Sequence, residues 1–239
     1  MNVWSITDKG RVRQQNQDAC FAVCDSDAGT ALLVVCDGMG GALAGNVASA
    51  MAIDVFVKAL KSDGDGNISR RIRHAIDAAN EAVYNKSLDD PECHGMGTTM
   101  VGAVIVNDNV TVFNVGDSRA YLIRQRSIKR ITVDHSVVEE LVLRGDITRE
   151  QAQYHPNRNL ITRAIGTETD TKCDLFFPKL KQGDYLLLCS DGLTNVLSDQ
   201  EIMDEVIKGG APDDCCKRLV DEVLRRGAPD NVTVVLLRR

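Results

Sequence analysis

Four aspartates in this 239-residue sequence stand where an apolar run meets a glycine or a turn. Asp37 ends the run in "VVCDGMGG" (34–41) and Asp191 the run in "LLLCSDGL" (186–193). Asp117 follows the run in "FNVGDSR" (113–119), and Asp230 stands just before the run in "APDNVTVVLL" (228–237). An Asp-Gly after a strand is ordinarily a hairpin turn, because glycine supplies positive φ. That explanation is weaker for Asp37 and Asp191, each of which leads through glycine toward a helical pattern rather than straight back into a strand. Acids projecting from strand ends can converge at one edge of a core, where like charges need a cation between them. Ligands that are all hard oxygen select Mg²⁺ or Mn²⁺ over zinc. "RQQNQDA" (13–19) adds Asp18 and Arg13, whose planar fork suits phosphate oxygens. Gly38 lets backbone approach an ion closely enough to offer its carbonyl. Two cations and one arginine balance a phosphate ester in so acidic a site. Spacing alone leaves both readings open, separate turns or one site.

The elements that must position these residues follow from periodicity. Val3–Ile6, Ala19–Val23 and Leu32–Cys36 have strand character. Leu43, Val47, Met51 and Val55 recur every four residues, and Ile68, Ile72, Ile76 and Val83 outline a second helix. Between them, "SDGDGN" imitates the start of a calcium loop at Asp63, Asp65 and Asn67, but Ile68 replaces the required Gly and His74 the bidentate Glu. This segment is expected to be a helix–helix linker. The runs Thr98–Val106, Val110–Val115 and Arg119–Ile123 are joined so tightly that antiparallel neighbours are expected. A polar, helix-prone insert runs from about Ser136 to Ala164, with capping-box patterns at Ser136/Glu139 and Thr148/Gln151 and Gly145 between them. Strands resume at Cys173–Phe177 and Tyr185–Cys189. Ser198 with Glu201 starts another helix, Pro212 to Gly227 frames one more, and Val232–Leu237 closes the chain as a strand. Antiparallel runs interrupted by helix pairs predict an α+β layered architecture in one domain.

Hydrophobic residues make up 44% of the sequence and charged residues 26%, enough for a packed core. A net charge of −6 with 4% aromatics opposes a nucleic-acid binder, which needs basic patches and stacking rings. It also opposes docking on an acidic membrane surface. The opening residues lack a signal-peptide pattern, and no apolar stretch approaches the roughly 20 residues of a membrane span, so a cytoplasmic location is expected. The eight cysteines have no CxxC or Cys/His zinc spacing and are expected to be reduced core thiols.

Taken in order, "RQQNQDA", "VVCDGMGG", "GMGTTM" (95–100), "VGDSRAYL" (115–122), "DHS" (134–136), "LITRAIG" (160–166), "LCSDGLTN" (188–195) and "APDNVTVVLL" give a sequence that resembles the metal-dependent protein phosphatases of type 2C, in their compact bacterial form. The resemblance implies a four-layer αββα sandwich, two antiparallel sheets packed face to face with helix pairs outside. It implies two Mn²⁺ or Mg²⁺ ions per chain, with Asp37 bridging both and the Gly38 carbonyl on one. Asp191 and Asp230 would hold the other, with Asp18 acting directly or through water, and Arg13 would grip the substrate phosphate. Asp117 would hold a third, weaker ion together with Asp191. The implied reaction is attack on phosphoserine or phosphothreonine in proteins by a water bridging the two ions. Many relatives carry a His where this chain has Met39, so a water, rather than residue 39, is expected to protonate the leaving oxygen. Residues from about 138 to 162 match the family's flap, and a cognate Ser/Thr kinase is implied as well; with nothing in the sequence pointing to an obligate dimer, a monomer is expected. His135 and His155 flank that flap and are expected to be packing or turn residues; Thr98 and Thr99 are expected to support the site. Of the alternatives, a two-metal nuclease is opposed by the negative charge, a catalytically dead relative by the retained acids and Arg13, and a purely structural domain by the strand-end acids themselves.

Overall fold

Period-two alternation on buried strands generates the architecture. On β3 (Thr30–Met39), Leu32, Val34 and Cys36 pack into one hydrophobic cluster while Leu33 and Val35 pack into another on the opposite face. A strand that is buried on both faces belongs in the middle of a layered stack. The computed structural model, which describes residues 1–62, 64, 66–208 and 212–239, has that stack.

One sheet has the order β1 (Asn2–Asp8), β11 (Val232–Arg238), β10 (Tyr185–Cys189), β7 (Arg119–Arg124), β8 (Ser127–Arg130). The other runs β2 (Asp18–Asp25), β3, β5 (Met100–Val106), β6 (Asn109–Val115), β9 (Asp174–Phe176), with the two-residue β4 (Gly97–Thr98) paired to the end of β3. Every pairing is antiparallel. Helices α1 (Gly41–Ser62) and α2 (Ile68–Asp89) cover the outer face of the second sheet through Phe56, Ile72 and Ile76. Helices α5 (Asp191–Thr194), α6 (Asp199–Ile207) and α7 (Pro212–Arg225) cover the first through Leu193, Ile202 and Leu219. Between the sheets Leu33, Val35, Val101, Leu186, Leu188, Val235 and Leu237 form the central layer. This is the expected αββα sandwich, and all eight cysteines are free thiols. Among the described residues no helix is long and apolar enough to cross a membrane. Asp63 and Asp65 of the calcium-like stretch lie outside the described residues; its Asn67 accepts from the Ser69 N–H and caps α2.

Two expectations need correction. The runs at 110–115 and 119–123 are not neighbours: β6 pairs with β5 and β9, whereas β7 lies in the other sheet beside β10 and β8. The short link 116–118 crosses between the sheets instead of folding back, which Gly116 permits by adopting φ 109°. The Ser136/Glu139 capping box is only half made. At the start of α3 (Val137–Arg144), Ser136 Oγ accepts from the Glu139 N–H, but the Glu139 carboxylate turns away, buried, to Arg130 at 3.1 Å and Arg149 at 2.9 Å. Two guanidinium groups attract a carboxylate more strongly than one backbone N–H does. Arg130 also reaches Asp134 at 3.2 Å, and Arg119 grips Asp134 through two nitrogens at 3.0 and 2.6 Å. This ladder of ion pairs roots the insert on β7 and β8. The second box, Thr148/Gln151, is complete and opens α4 (Arg149–Gln153).

Because Leu33 is fully buried in the central layer, Leu33→Ala is expected to cost about 2–5 kcal/mol of unfolding free energy in urea titration. Leu88→Ala, at a side chain 61% exposed on α2, should change it by less than about 0.5 kcal/mol. Equal effects would contradict this layer assignment.

Candidate metal centre

The central layer turns polar at one end, and it does so on six strands by the same rule. Two residues beyond the last apolar inter-sheet side chain stand Asp18 (after Cys20, reading outward), Asp37 (after Val35), Thr99 (before Val101), Ser118 (before Ala120), Ser190 (after Leu188) and Thr233 (before Val235). Period two puts each on the inter-sheet face, so hydroxyls and carboxylates replace Val and Leu where the sandwich opens. Asp18 is paired directly opposite Asp37 in the β2–β3 ladder. Like charges in that position repel unless a cation lies between them.

The side chains from the two sheets meet. Asp18 Oδ2 accepts from Ser190 Oγ and from Thr233 Oγ1, both at 2.7 Å. Thr233 has therefore spent its hydrogen, so Thr7 is the donor in the 2.7 Å contact between their hydroxyls, and Asn16 Nδ2 in turn donates to Thr7 at 2.8 Å. The Thr233 N–H completes the mesh by donating to Ser190 Oγ at 3.0 Å. On the other sheet the Asp37 N–H donates to Thr99 Oγ1 at 3.0 Å, Thr98 Oγ1 donates to the Asp37 carbonyl at 2.9 Å, and Thr99 pairs with Ser118 at 2.8 Å. Thr98 and Thr99 thus support the site as expected. Gly38 must lack a side chain, since a Cβ there would stand 2.0 Å from the Gly45 carbonyl oxygen.

Asp37, Asp117, Asp191, Asp230, Gly38 and Arg13 all line one cavity of about 610 Å³. Asp18 is the buried aspartate of the set, behind its hydroxyl donors. Asp191 begins α5 and accepts from Asn195 Nδ2 at 3.0 Å through Oδ2. Asp230 accepts from the Asn231 N–H at 2.9 Å and from Arg13 Nη2 at 2.7 Å. Asn231 itself stitches the 9–17 segment in place: it accepts from the Gln17 N–H at 2.8 Å and donates to the Lys9 and Gln15 carbonyls at 2.8 and 2.9 Å.

His135 is the packing residue expected, with a specific task. Its Nδ1 accepts from the Gly116 N–H at 3.0 Å, and its own N–H donates to the Gly116 carbonyl at 3.0 Å. With Nδ1 accepting, the proton sits on Nε2 and is donated to Asp174 at 3.1 Å. Burial, the largest influence, holds the ring below its ordinary pKa and so neutral. Asn114 Nδ2 secures the Gly116 carbonyl as well at 3.0 Å. The turn that carries Asp117 is thus clamped on both sides. His155 lies in a turn, accepting from the Asn157 N–H at 3.1 Å.

Electrostatics mark the cluster as built for cations. Burial first, then the charges of Asp18, Asp191, Asp117 and Asp230, pushes Asp37 well above the ordinary carboxylate range. Burial lifts Asp18 and Asp117 each to about 7, with Asp191 adding to both. Burial, then the charge of Asp230, raises Asp191, which lies within hydrogen-bonding reach of Asp37. Asp18 Oδ1 and Asp191 Oδ1 are buried without a partner among the described residues, and an acceptor oxygen left so costs about 1–3 kcal/mol. A divalent ion removes both penalties, and the donor set is all oxygen, so these residues fit Mg²⁺ or Mn²⁺. Among the described residues, no three His, Cys, Asp or Glu side chains already form a cage for one ion. The acids are spread along the cavity, and each ion would fill its shell with carbonyl and water oxygens, as Mg²⁺ normally does.

The family model described as protein phosphatase 2C matches residues 8–225. The serine/threonine phosphatase stp of Listeria welshimeri is 35% identical over 237 residues, 98% of this chain and 94% of that relative. The crystal structure of the serine/threonine phosphatase Stp1 from Staphylococcus aureus superposes with a TM-score of 0.92 at 40% identity, covering 99% of this chain and 94% of that one. The catalytic domain of the serine threonine protein phosphatase PstP, in complex with two manganese ions, gives a TM-score of 0.86 at 33% identity over 98% of this chain and 96% of that one.

Two predictions follow from the cluster. A carboxyl whose pKa is raised on folding binds more protons folded than unfolded, so its contribution falls as pH rises from its unfolded value, about 4, through its folded one. In EDTA, Asp37→Asn should therefore gain thermal stability relative to wild type between pH 5 and pH 7.5, and parallel melting-temperature profiles would refute this electrostatic account. The second concerns the hydroxyl mesh. Thr233→Val should weaken Mn²⁺ binding about tenfold or more by calorimetry, while Thr233→Ser retains it; wild-type affinity in the valine variant would show that Thr233 does not position Asp18.

Proposed function

We propose, for a chain that belongs to the protein phosphatase 2C family and is a serine/threonine protein phosphatase, that the polar mouth of the sandwich is its catalytic centre. The observation that carries this reading is the pair of buried, unpartnered carboxylate oxygens on Asp18 and Asp191 beside carboxyls that repel one another. Two Mn²⁺ or Mg²⁺ ions are assigned to it, and Asp37, the Gly38 carbonyl, Asp191 and Asp230 would hold them. Asp18 would serve through its free oxygen or a water, and Asp117 with Asp191 would hold a third, weaker ion. The manganese ions bound to the related PstP catalytic domain support the count. When bound, such ions stabilise the developing phosphoryl charge and lower the pKa of a water so that it can attack phosphorus in line with the departing Ser or Thr oxygen.

The chain's own groups do the rest. Arg13 orients the phosphate. In the structure its guanidinium is 52% exposed and pairs with Asp230, and exposed pairs contribute only about 0–1 kcal/mol, so phosphate oxygens compete readily for the fork. Asn231 and Gln17 hold the segment that presents Arg13. Met39 has no proton to give, which leaves water to protonate the departing oxygen. Cys36 and Cys189 stand next to Asp37 and Ser190, but burial raises both thiols far above neutrality, so neither serves as a nucleophile.

The finer assignment is one catalytic domain over 1–239 with a flap at about 138–162, acting in the cytoplasm as a monomer on phosphoserine and phosphothreonine proteins and opposing a Ser/Thr protein kinase. The test is hydrolysis of a phosphothreonine peptide with Mn²⁺, Mg²⁺ or EDTA. EDTA, Asp37→Asn and Asp191→Asn should each reduce turnover by more than about 100-fold, the upper range for disturbing even a partner of a metal ligand. Asp117→Ala should reduce turnover while calorimetry still finds two Mn²⁺ sites. Metal-independent activity, or loss of both sites in Asp117→Ala, would overturn the assignment.

A further inference from the structure

A second cavity of about 610 Å³ adjoins the acidic one, and the two share Met39, Asn159 and Ile161 as a common sill. None of the five aspartates of the metal centre lines it. Its walls are the chain segments 159–164 and 167–172, and both are fixed by hydrogen bonds to their backbone. On the near wall the Val137 N–H donates to the Leu160 carbonyl at 2.9 Å, the Thr162 N–H to the His135 carbonyl at 2.8 Å, and Ile165 exchanges two hydrogen bonds with Thr98 at 2.8 and 3.0 Å. The far wall is held by Asn80, a 2%-exposed side chain of α2. Asn80 Nδ2 donates to the Glu168 and Thr169 carbonyls at 2.9 and 3.1 Å, and Oδ1 accepts from the Gly166 N–H at 2.7 Å. A buried amide devoted to surface backbone gives a groove that exists before anything occupies it, and such preorganisation reduces the cost of binding.

We propose that this groove is a subsite for the polypeptide flanking the phosphorylated residue, and that it takes an apolar side chain against Leu160, Ile161 and Met39. The proposal rests on the phosphatase reading. Continuity through the sill is the reason for the occupant: a phosphoresidue in the acidic cavity must send its neighbouring residues across the rim, and an extended chain advances about 3.3 Å per residue. Leu160 is 53% exposed on the near wall, apolar surface that a partner would cover. Charge sets what the groove rejects. Glu168 and Asp170 face the groove alongside Lys172, while Arg163 is already committed to Asp174 at 3.2 Å. A flanking carboxylate therefore meets two acids and, among the described residues, one cation, Lys172, that no ion pair already satisfies.

The test compares kcat/KM for two phosphothreonine peptides, one with leucine and one with aspartate on both sides of the phosphoresidue, each relative to p-nitrophenyl phosphate and with saturating Mn²⁺. Wild type should favour the leucine peptide about tenfold, the scale expected for covering one aliphatic side chain. Leu160→Asp should bring the two peptides close to parity. Val106→Asp, at the hairpin opposite the Asp37 end of β3, should keep the preference. Equal use of both peptides by wild type overturns the subsite without requiring any variant to fold, as does a preference that survives Leu160→Asp. Failure of wild type to hydrolyse even p-nitrophenyl phosphate would instead strike at the phosphatase reading beneath it.

Discussion

Repulsion among carboxylates held between two apolar sheets is the constraint to which the rest of the molecule answers. Asp18 and Asp37 stand opposite each other in one ladder, Asp191 and Asp230 approach from the other sheet, and Asp117 sits on the link between the two. Such a group does not assemble from its own attractions; it is forced together by the packing of Leu33, Val35, Leu188 and Val235 deeper in the central layer. Folding energy from the central layer is thus spent at its mouth, and a divalent ion recovers it on binding. Metal affinity and fold stability are two readings of one balance.

Precision comes from hydroxyls and backbone rather than from the acids themselves. Thr233, backed by Thr7, and Ser190 fix one oxygen of Asp18, while the other is buried without a partner among the described residues. Thr98 and Thr99 hold the backbone of Asp37 from both its N–H and its carbonyl. The Thr99–Ser118 contact joins that arrangement to the crossing at 116–118, which His135 and Asn114 clamp. Because these partners come from different sheets, a small slip of one sheet on the other would separate them. Close packing of the central layer resists that slip.

Much of this was legible in the sequence. Long apolar runs, helix caps and strand-end acids are local signals, and the strands, the Thr148/Gln151 box and the cavity-lining aspartates appear where local chemistry puts them. What stayed hidden depends on partners distant in the chain. Thr233 looks like an ordinary β-former in "NVTVV"; only its period-two register with Val235 and Leu237 marks it as inter-sheet, and its bond to Asp18 spans 215 positions. The turn at 116–118 is as short as a hairpin, so length alone could not show that it changes sheets. Glu139 satisfied a capping pattern on paper, yet arginines from β8 and α4 claimed it. Asn80 carries no local signature at all on α2, and its role appears only when the loop it holds is in view.

The ladder from Arg119 through Asp134, Arg130 and Glu139 to Arg149 bears on how such chains diversify. It fastens the insert to the sandwich by a few charged side chains at its base, while Leu143 and Tyr154 on its outer surface remain open to solvent. Attachment and outward face therefore rest on different side chains. Exposed positions of α3 and α4 such as Leu143 and Tyr154 can change without touching the ion pairs that root the insert on β7 and β8.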